Sequence, residues 1–325
     1  MIIVQTPLRV SLFGGGTDFP AYYLEEGGAV LSTAIDKYIF VTIKKRFDRK
    51  LRVGYTRTEM VNNLDEIQHE LIREAFRLTG LTEGIELTTM GDIPSEGSGL
   101  GSSSTVTVGA LHAMHTFLHE LIPAGTLAEQ ACYIERDILK HPIGLQDQYI
   151  AAYGGFRFIE FKTNGTIATH KIQLQPEKYR LLNQNLMLFF TGITRRTATI
   201  LSEQQANISQ RKQTLGQMKA IAYTACQQVE AGNFDQLGHL LHQSWLLKQQ
   251  LAGAISNPDV EAMYQTARQA GAIGGKLCGA GGGGFLLLYC PYQSQANVRA
   301  ALSNYQELPF QMEPDGSKVI FNYRR

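Results

Sequence analysis

The stretch PSEGSGLGSSST, at residues 94–105, joins a glycine-rich loop to a run of serines. Its glycines lack a Cβ atom, so the backbone is free to take positive φ angles and to direct several N–H groups at an anion. After the serines, Thr107, Leu111, Met114, Leu118 and Leu121 recur at helical spacing. The sequence therefore predicts a phosphate-binding loop at a helix N-terminus, where unpaired N–H groups and the helix dipole favour phosphate.

The residues before the loop indicate that it connects a strand to this helix. Residues 84–91 (GIELTTMG) alternate apolar and polar positions, as in a strand. The loop lacks the Gly-Lys-Ser/Thr end of a Walker A motif, and the strand before it does not end in the G-x-G-x-x-G pattern of a Rossmann turn. A glycine-rich turn followed by a serine N-cap is the simpler alternative.

Three separated motifs carry a resemblance to a known family. They are PLRVSLFGGGTDFP at 7–20, GSGLGSSS at 97–104 and KLCGAGGGGF at 276–285. In this order they resemble the GHMP kinase superfamily, which includes galactokinase, homoserine kinase, mevalonate kinase and phosphomevalonate kinase. With IGLQDQYIAAYGG at 143–155, they are most similar to the sugar-1-kinase branch that includes D-glycero-D-manno-heptose 7-phosphate kinase. The resemblance implies an ATP- and Mg²⁺-dependent kinase that phosphorylates the anomeric hydroxyl of a small-molecule sugar or sugar phosphate, with this heptose phosphate as the first candidate.

Composition narrows the class of protein. The chain has 325 residues, 44% hydrophobic and 18% charged, which is enough for two compact lobes. A net charge of +1 gives no reason to expect a nucleic acid or membrane partner. No apolar run is long enough to span a membrane and the first residues do not resemble a signal peptide, so we expect a cytoplasmic protein. The four cysteines are far apart, which argues against a zinc site or disulfides, and Cys278 is interpreted as a small apolar filler.

Short strand-like runs mix with helical segments without a regular βαβ repeat, which predicts an α+β fold. Residues 186–190 (LMLFF) indicate a buried strand, 197–231 and 234–251 indicate helices, and 318–323 could supply a last edge strand. The resemblance implies a two-lobed GHMP kinase fold with the active site between the lobes. Residues 1–180 would form an N-terminal lobe that resembles ribosomal protein S5 domain 2 and holds the ATP-binding loop. Residues 181–325 would form a ferredoxin-like C-terminal lobe.

Asp147 and Arg9 are the candidate catalytic residues. A carboxylate within reach of the sugar hydroxyl could accept its proton, and galactokinase-like members carry Asp-Gln at the place of Asp147. Arg9 lies in a strand-like segment, where a buried cation needs a partner. In the family a basic residue at this place lies near the nucleophile and the catalytic Asp. The structural alternatives are a helix N-terminal Asp and a surface arginine on an edge strand.

The resemblance also assigns the nucleotide and metal ligands. The ATP-binding residues would be Gly97, Ser98, Gly99, Leu100, Gly101, Ser102, Ser103 and Ser104. Glu135 and Ser103 would bind Mg²⁺, which favours a few hard oxygen ligands. Because Arg136 and Asp137 follow Glu135, a solvated charged helix face is the alternative.

The substrate-binding candidates come from three places in the sequence. They are Gly15, Gly16, Thr17 and Asp18 in the first motif, Gly281 and Gly282 in the third motif, and the pair Arg195 and Arg196, whose guanidinium groups suit an anionic substrate. A helix cap at Thr17-Asp18, a tight bend at the glycines and a surface arginine pair are the alternatives.

Some residues depart from the family pattern. Galactokinases typically carry Gly-Glu-His-Thr-Asp where this chain has GGGTD at 14–18, which argues against galactose. Glu96 lengthens the phosphate loop by one residue, and Leu145 stands where many relatives have lysine. Other sugar-1-kinases (for fucose, galacturonate or a related hexose), a mevalonate-type kinase and a non-catalytic ligand-binding protein are the alternative functions. A homodimer is compatible with the sequence, which contains no feature that fixes the oligomeric state.

Overall fold

The computed structural model describes residues 1–93, 97–194 and 197–323, and it has the predicted α+β architecture. The strands are β1 (Ile2–Phe13), β2 (Gly28–Lys45), β3 (Leu51–Gly54), β4 (Thr58–Val61), β5 (Ile85–Gly91), β6 (Phe156–Phe161), β7 (Ile167–Lys171), β8 (Leu186–Phe190), β9 (Gly274–Leu277), β10 (Phe285–Tyr289) and β11 (Lys318–Asn322). The helices are α1 (Pro20–Glu26), α2 (Glu70–Thr79), α3 (Ser102–Phe117), α4 (Ala124–Cys132), α5 (Gln146–Tyr153), α6 (Pro176–Gln184), α7 (Thr197–Ala206), α8 (Lys212–Ala231), α9 (Phe234–Lys248), α10 (Pro258–Gln269) and α11 (Gln295–Ala301). A π-helical turn, Tyr133–Ile138, continues α4.

The large sheet carries the first and second motifs. Within the described residues it has eight strands, in the order β11-β1-β2-β5-β3-β4, and β6 and β7 extend it beside β2. The strands pair antiparallel except for β3 and β5, which are parallel. Helices α3 and α5 pack against β1 and β2 and bury apolar residues of both strands, and α2 packs against α3. Strand β1, whose second half belongs to the first motif, is therefore held in place by α3 and α5.

The small sheet, in the order β8-β10-β9, is buried on both faces. Side chains alternate across a strand, so neighbouring residues of β10 enter different cores. Leu287 packs in the core of the large sheet, whereas Leu286 and Leu288 pack in a second core with Trp245. Burial on both sides explains why LMLFF at β8 is continuously apolar. The predicted buried strand is confirmed.

The strand-loop-helix unit around the second motif is confirmed as well. Strand β5 precedes the loop and α3 begins at Ser102. Gly101, with φ 80°, is the N-cap of α3 and no side chain caps this helix, so the simple serine N-cap is not what forms. The prediction that the helix runs to Leu121 is wrong, because α3 ends at Phe117 and His119 adopts a left-handed φ of 67°.

The chain crosses between the two sheets more than once. The predicted last edge strand is confirmed as β11, but it pairs antiparallel with β1 in the large sheet. Residues 181–325 are thus not confined to the small sheet. The predicted boundary at residue 180 falls within α6, and a division there remains a prediction.

In the described part of the chain, no helix combines the length and the apolar character needed to cross a membrane.

Candidate active site

A cavity of about 150 Å³ lies where the three sequence motifs meet. The first motif contributes Arg9, Gly15, Gly16 and Asp18 to its wall, among others. The predicted phosphate-binding loop, called the phosphate loop below, contributes Gly97–Gly99 and 101–104, and the start of α5 contributes Asp147. The second-lobe wall is formed by α7, α9 and the third motif. The structure therefore brings most of the predicted site residues to one cavity.

Backbone contact between the second and third motifs shapes the phosphate loop. Gly97, Gly99 and Gly101 have φ angles of 71°, 75° and 80°, as predicted. A Cβ atom on Gly99 would lie 2.6 Å from the carbonyl oxygen of Cys278, and one on Gly279 would lie 2.6 Å from the Cα of Gly99. Only glycine fits at both positions, because the two backbones pass too closely for side chains. Leu100 is buried behind the loop and its carbonyl accepts from Arg9 N–H at 3.0 Å.

Arg9 and Asp147 form a bidentate ion pair at the cavity wall. Arg9 Nε donates to Asp147 Oδ1 at 2.7 Å and Arg9 Nη2 donates to Asp147 Oδ2 at 2.6 Å. A third bond, from Arg9 Nη1 to the carbonyl of Gly99 at 2.6 Å, links the pair to the phosphate loop. Burial opposes the charge on Arg9, but Asp147 outweighs it and raises the pKa of Arg9. The pair fixes the orientation of both groups.

The structure excludes the surface alternative for Arg9, whereas Asp147 does lie at a helix N-terminus. Arg9 is only 4% exposed and is not a surface residue. Asp147 is the second residue of α5, and the N-cap is Leu145, which is buried. The Asp147 carboxylate binds Arg9, so its place at the helix start serves the cavity rather than a cap.

Glu135 lies in a buried pocket behind the phosphate loop. It is 1% exposed, so the solvated-face alternative does not hold, whereas Arg136 and Asp137 pair with each other at the surface. Ser104 Oγ donates to Glu135 Oε2 at 3.1 Å, and Glu135 Oε1 is buried with no hydrogen-bond partner in the described residues. Burial raises the pKa of Glu135 to about 7. Ser103, predicted as the second ligand, lines the cavity with an exposed side chain. The serine that contacts Glu135 is Ser104.

Asp18 is buried at the cavity wall and is held by the protein. Its Oδ1 accepts from Gly16 N–H at 2.8 Å and its Oδ2 accepts from Gln146 Nε2 at 3.0 Å. Burial raises the pKa of Asp18. The helix-cap alternative does not apply, because α1 has Phe19 at its N-cap and no side-chain cap.

Three predicted substrate residues lie away from the cavity wall. Thr17 Oγ1 bonds to the carbonyls of Gly14 and Ala29, which fastens the first motif to β2. Gly281 and Gly282 pack against Ile255, and Gly282 N–H donates to the Ile255 carbonyl at 2.8 Å. The residues of the third motif that reach the cavity are Lys276, Gly279 and Ala280. Arg195 and Arg196 lie outside the described residues.

Comparison with models of known protein families identifies the family to which the chain belongs. The model described as the GHMP kinases N terminal domain matches residues 65–155, and the GHMP kinases C terminal model matches residues 223–307. The chain belongs to the GHMP kinases. The family, the two-lobed α+β fold and the kinase class predicted from the motifs are thereby confirmed.

Relatives of this GHMP kinase include sugar kinases. It is 34% identical to D-glycero-alpha-D-manno-heptose 7-phosphate kinase of Campylobacter jejuni, over 94% of each chain. It is 28% identical to L-fucokinase/L-fucose-1-P guanylyltransferase of Bacteroides fragilis, over 91% of this chain and 35% of that protein. Among solved structures, a D-glycero-D-manno-heptose 1-phosphate kinase from Bacteroides thetaiotaomicron superposes with a TM-score of 0.83 at 25% identity, covering 100% of both chains.

Two lysines of this GHMP kinase were missed by sequence reasoning. Lys248 and Lys276 are buried and line the second-lobe wall of the cavity. Lys276 is the first residue of the third motif, but its charge was not considered. Helical spacing places Lys248 on the same face of α9 as Leu241 and Trp245, which are buried. A lysine on an apolar helix face was the available signal.

The four cysteines are free, as expected, and Cys278 is fully buried. Burial raises the pKa of the Cys278 thiol, which keeps it protonated and unreactive at neutral pH. This behaviour fits the interpretation of Cys278 as a small apolar filler.

Proposed function

We propose that this GHMP kinase transfers the γ-phosphoryl group of ATP to the anomeric hydroxyl of D-glycero-D-manno-heptose 7-phosphate, giving the 1,7-bisphosphate. The observation that carries the proposal is the Arg9–Asp147 ion pair, which faces a cavity bordered by the phosphate loop. Identity of 34% with the Campylobacter enzyme supports the choice of sugar. The two heptose kinases differ in the phosphate position that their names give, so the product's regiochemistry is part of the test.

Asp147 is the proposed base. Its carboxylate takes the proton of the sugar hydroxyl as the oxygen forms a bond to the γ-phosphorus and the bond to the leaving ADP breaks. Arg9 holds that carboxylate through two hydrogen bonds and places a fixed positive charge beside the reacting atoms. The hydrogen bond from Arg9 to the carbonyl of Gly99 fixes the position of this charge relative to the proposed phosphate-binding loop.

The loop from Gly97 to Ser104 is the proposed phosphate site. Its positive-φ glycines and the N-terminus of the long helix α3 provide N–H groups for the ATP phosphates. A second cavity, of about 670 Å³, shares Ser102 and Ser103 with the first. Its other lining residues include Ile39, Tyr55, His69, Met90 and Val106. This apolar and aromatic lining suits the nucleoside part of ATP.

Glu135 and Ser103, which lies in the first turn of α3, are the proposed Mg²⁺ ligands. Mg²⁺ is held in kinases by one or two carboxylates and by substrate phosphates, so a site with one carboxylate fits. In the described residues no group of three or more His, Cys, Asp or Glu side chains is arranged to hold a metal. The buried Oε1 of Glu135, which has no partner among the described residues, is the atom that a cation would satisfy. When bound, Mg²⁺ neutralises charge on the β- and γ-phosphates.

Asp18, Gly15 and Gly16 are the proposed sugar-binding residues. A carboxylate has lone pairs beyond those that Gly16 and Gln146 use, so Asp18 can still accept from sugar hydroxyls. The role of Arg195 and Arg196 in binding the substrate's anionic group remains a prediction. A cytoplasmic location, where ATP is available, and a homodimer also remain predictions.

The test is ATP consumption with Mg²⁺ over a panel of acceptors, with product regiochemistry by phosphorus NMR. The panel holds D-glycero-D-manno-heptose 7-phosphate, the corresponding 1-phosphate, fucose, galacturonate, galactose, mannose and mevalonate. We expect turnover of the 7-phosphate and a new anomeric phosphate signal.

If the enzyme phosphorylates the heptose 1-phosphate and not the 7-phosphate, the proposed sugar is correct but the proposed acceptor, the anomeric hydroxyl, is wrong. Turnover of fucose alone would replace the substrate with a neutral sugar, the alternative that the fucokinase relative favours. No turnover of any acceptor by a protein that binds ATP would contradict the proposal.

A further inference from the structure

The second-lobe wall of the cavity carries two buried lysines. Lys248 is 3% exposed and Lys276 is 2% exposed, yet both line the cavity. Lys248 ends helix α9 and Lys276 lies in strand β9, so each ammonium group is held by a regular element rather than by a mobile loop. Ordered elements place charged groups with little freedom to move, as ligand binding requires.

Backbone carbonyls are the only hydrogen-bond acceptors of these lysines among the described residues. Lys248 Nζ donates to the carbonyls of Leu277 at 2.9 Å and Gly279 at 2.6 Å. Lys276 Nζ donates to the carbonyl of Leu12 at 3.1 Å. An ammonium group has three N–H donors, so Lys248 keeps one and Lys276 keeps two for another partner.

When both lysines are protonated, the charged groups near them carry an excess of positive charge. Among the described residues neither lysine forms an ion pair, whereas Arg9 is paired with Asp147. Asp18 is the one nearby carboxylate that favours both ammonium charges, while Arg9 disfavours both. Burial lowers the pKa of Lys276 to about 8, and burial together with Lys276 lowers the pKa of Lys248 well below its ordinary value. A buried ammonium group without an anion is costly, so an anionic ligand would stabilise this wall.

We propose that Lys248 and Lys276 form an anion subsite that binds a terminal phosphate group on the second-lobe wall of the cavity. A terminal phosphate group carries close to two negative charges at neutral pH and three strong acceptor oxygens, which match the unused donors of the two lysines. The group has two sources: the phosphate that the sugar already carries, or the phosphoryl group in transfer. The inference rests on the proposed function, because it assigns a phosphorylated ligand to the same cavity.

The experiment measures binding and turnover in Lys276→Met and Lys248→Met variants. Lys219→Met is the matched control, because Lys219 Nζ also donates to backbone carbonyls, those of Glu26 and Gly27, but lies outside the cavity. Calorimetry with ADP present, which fills the phosphate loop, measures the affinity of inorganic phosphate, of D-glycero-D-manno-heptose 7-phosphate and of the unphosphorylated heptose. Kinetics then give kcat and KM for each sugar.

We expect each Met variant to bind inorganic phosphate about tenfold or more weakly, since a hydrogen bond to a charged group is lost. If the affinity falls for the sugar phosphate and not for the neutral heptose, the sugar's own phosphate occupies the subsite. If the affinity of both sugars is kept and kcat falls, the subsite serves the phosphoryl group in transfer. Unchanged phosphate affinity and unchanged kcat, or the same losses in Lys219→Met, would overturn the proposal.

Two further measurements are needed. One distinguishes loss of the subsite from a folding defect, and the other distinguishes failure of this proposal from failure of the proposed function. Lys276→Arg and Lys248→Arg keep the charge, so partial recovery of phosphate affinity supports the subsite even where a Met variant unfolds. Failure of the Arg variants to bind better than the Met variants, with the same unfolding temperature, contradicts it. If no heptose is turned over but inorganic phosphate binds in a lysine-dependent way, the substrate proposal fails and the subsite stands.

Discussion

The two walls of the cavity differ in how their charges are neutralised. On the first-lobe wall, the Arg9 guanidinium is matched by the Asp147 carboxylate through two hydrogen bonds. On the second-lobe wall, Lys248 and Lys276 donate only to neutral carbonyls among the described residues. The first wall is complete before any ligand arrives, as preorganised catalytic groups are. The second wall has an excess of charge that a ligand would offset. The comparison separates groups that orient each other from groups that await a substrate.

Replacing Asp147 with Asn breaks the ion pair on the first-lobe wall and has the largest expected effect on catalysis. The amide keeps the shape of the side chain but does not accept the hydroxyl proton, and it leaves Arg9 without its counter-charge. We expect kcat to fall roughly 10²- to 10⁴-fold while ATP still binds. Steady-state kinetics together with ATP titration measure both quantities.

Asp48→Asn is the matched control for this change. Asp48 also accepts two hydrogen bonds from one arginine, Arg46, at 2.7 Å each, but at the exposed surface. We expect this control to turn over normally. Near-normal turnover of Asp147→Asn would remove Asp147 from the role of base and leave the pair a structural contact.

Replacing Gly144 with Ala displaces a carboxylate on the same wall and has a smaller expected effect. A Cβ atom at this position would lie 2.1 Å from Asp18 Oδ2, so the carboxylate must move. If Asp18 binds the sugar, KM for the sugar should rise about tenfold, the worth of one charged hydrogen bond, while KM for ATP is unchanged.

Gly216→Ala serves as the control, since its nearest described neighbour, Tyr22 Oη, would be 3.8 Å from the new Cβ. An equal rise of both KM values in Gly144→Ala would indicate a general distortion of the cavity and would count against a sugar-binding role for Asp18.

Replacing Glu135 with Gln extends the comparison to a buried carboxylate with no cationic partner among the described residues, and its effect is measured on stability rather than on turnover. Burial raises the pKa of Glu135 from 4.5 to about 7. A carboxyl group with a raised folded-state pKa contributes stability at low pH that is lost as pH rises, here between about 4.5 and 7. Above pH 7 the loss is on the order of 3 kcal/mol.

In a chelator, Glu135→Gln should therefore unfold several degrees above the wild type at pH 8, and the difference should shrink as pH falls toward 5. Thermal unfolding at several pH values measures this, with the exposed Glu230→Gln as control. A variant that is less stable than the wild type at pH 8 would show that the carboxylate is held in its charged form by contacts within the protein.

Much of the fold was predictable because local patterns and packing agree. Alternation at β5, the glycines before α3 and the apolar run at β8 each indicate the element that forms. Other features depend on contacts that a local pattern does not contain. The end of α3 depends on the left-handed His119, and the pairing of β11 with β1 joins opposite ends of the chain.

The same division holds for the candidate site. Arg9, Asp147, Asp18 and Glu135 were identified through motifs, and the structure shows each of them buried or lining the cavity. Thr17 was predicted to bind substrate as part of the first motif, yet its hydroxyl donates to a backbone carbonyl of β2. Motif position alone does not show which neighbours of a binding residue point into the cavity. The charge of Lys248 alone does not distinguish it from the other lysines of the chain.

The pairing of β1 with β11 has a consequence for how the protein is made. Among the strands described, the one that carries Arg9 leaves the ribosome before all others, and its neighbour at Lys318–Asn322 leaves last. The outer edge of Ile2–Gln5 is therefore unpaired throughout translation and able to join other chains. A stop codon before Lys318 would leave the named cavity residues in the chain but keep this edge open. The resulting defect would be aggregation rather than an incomplete active site.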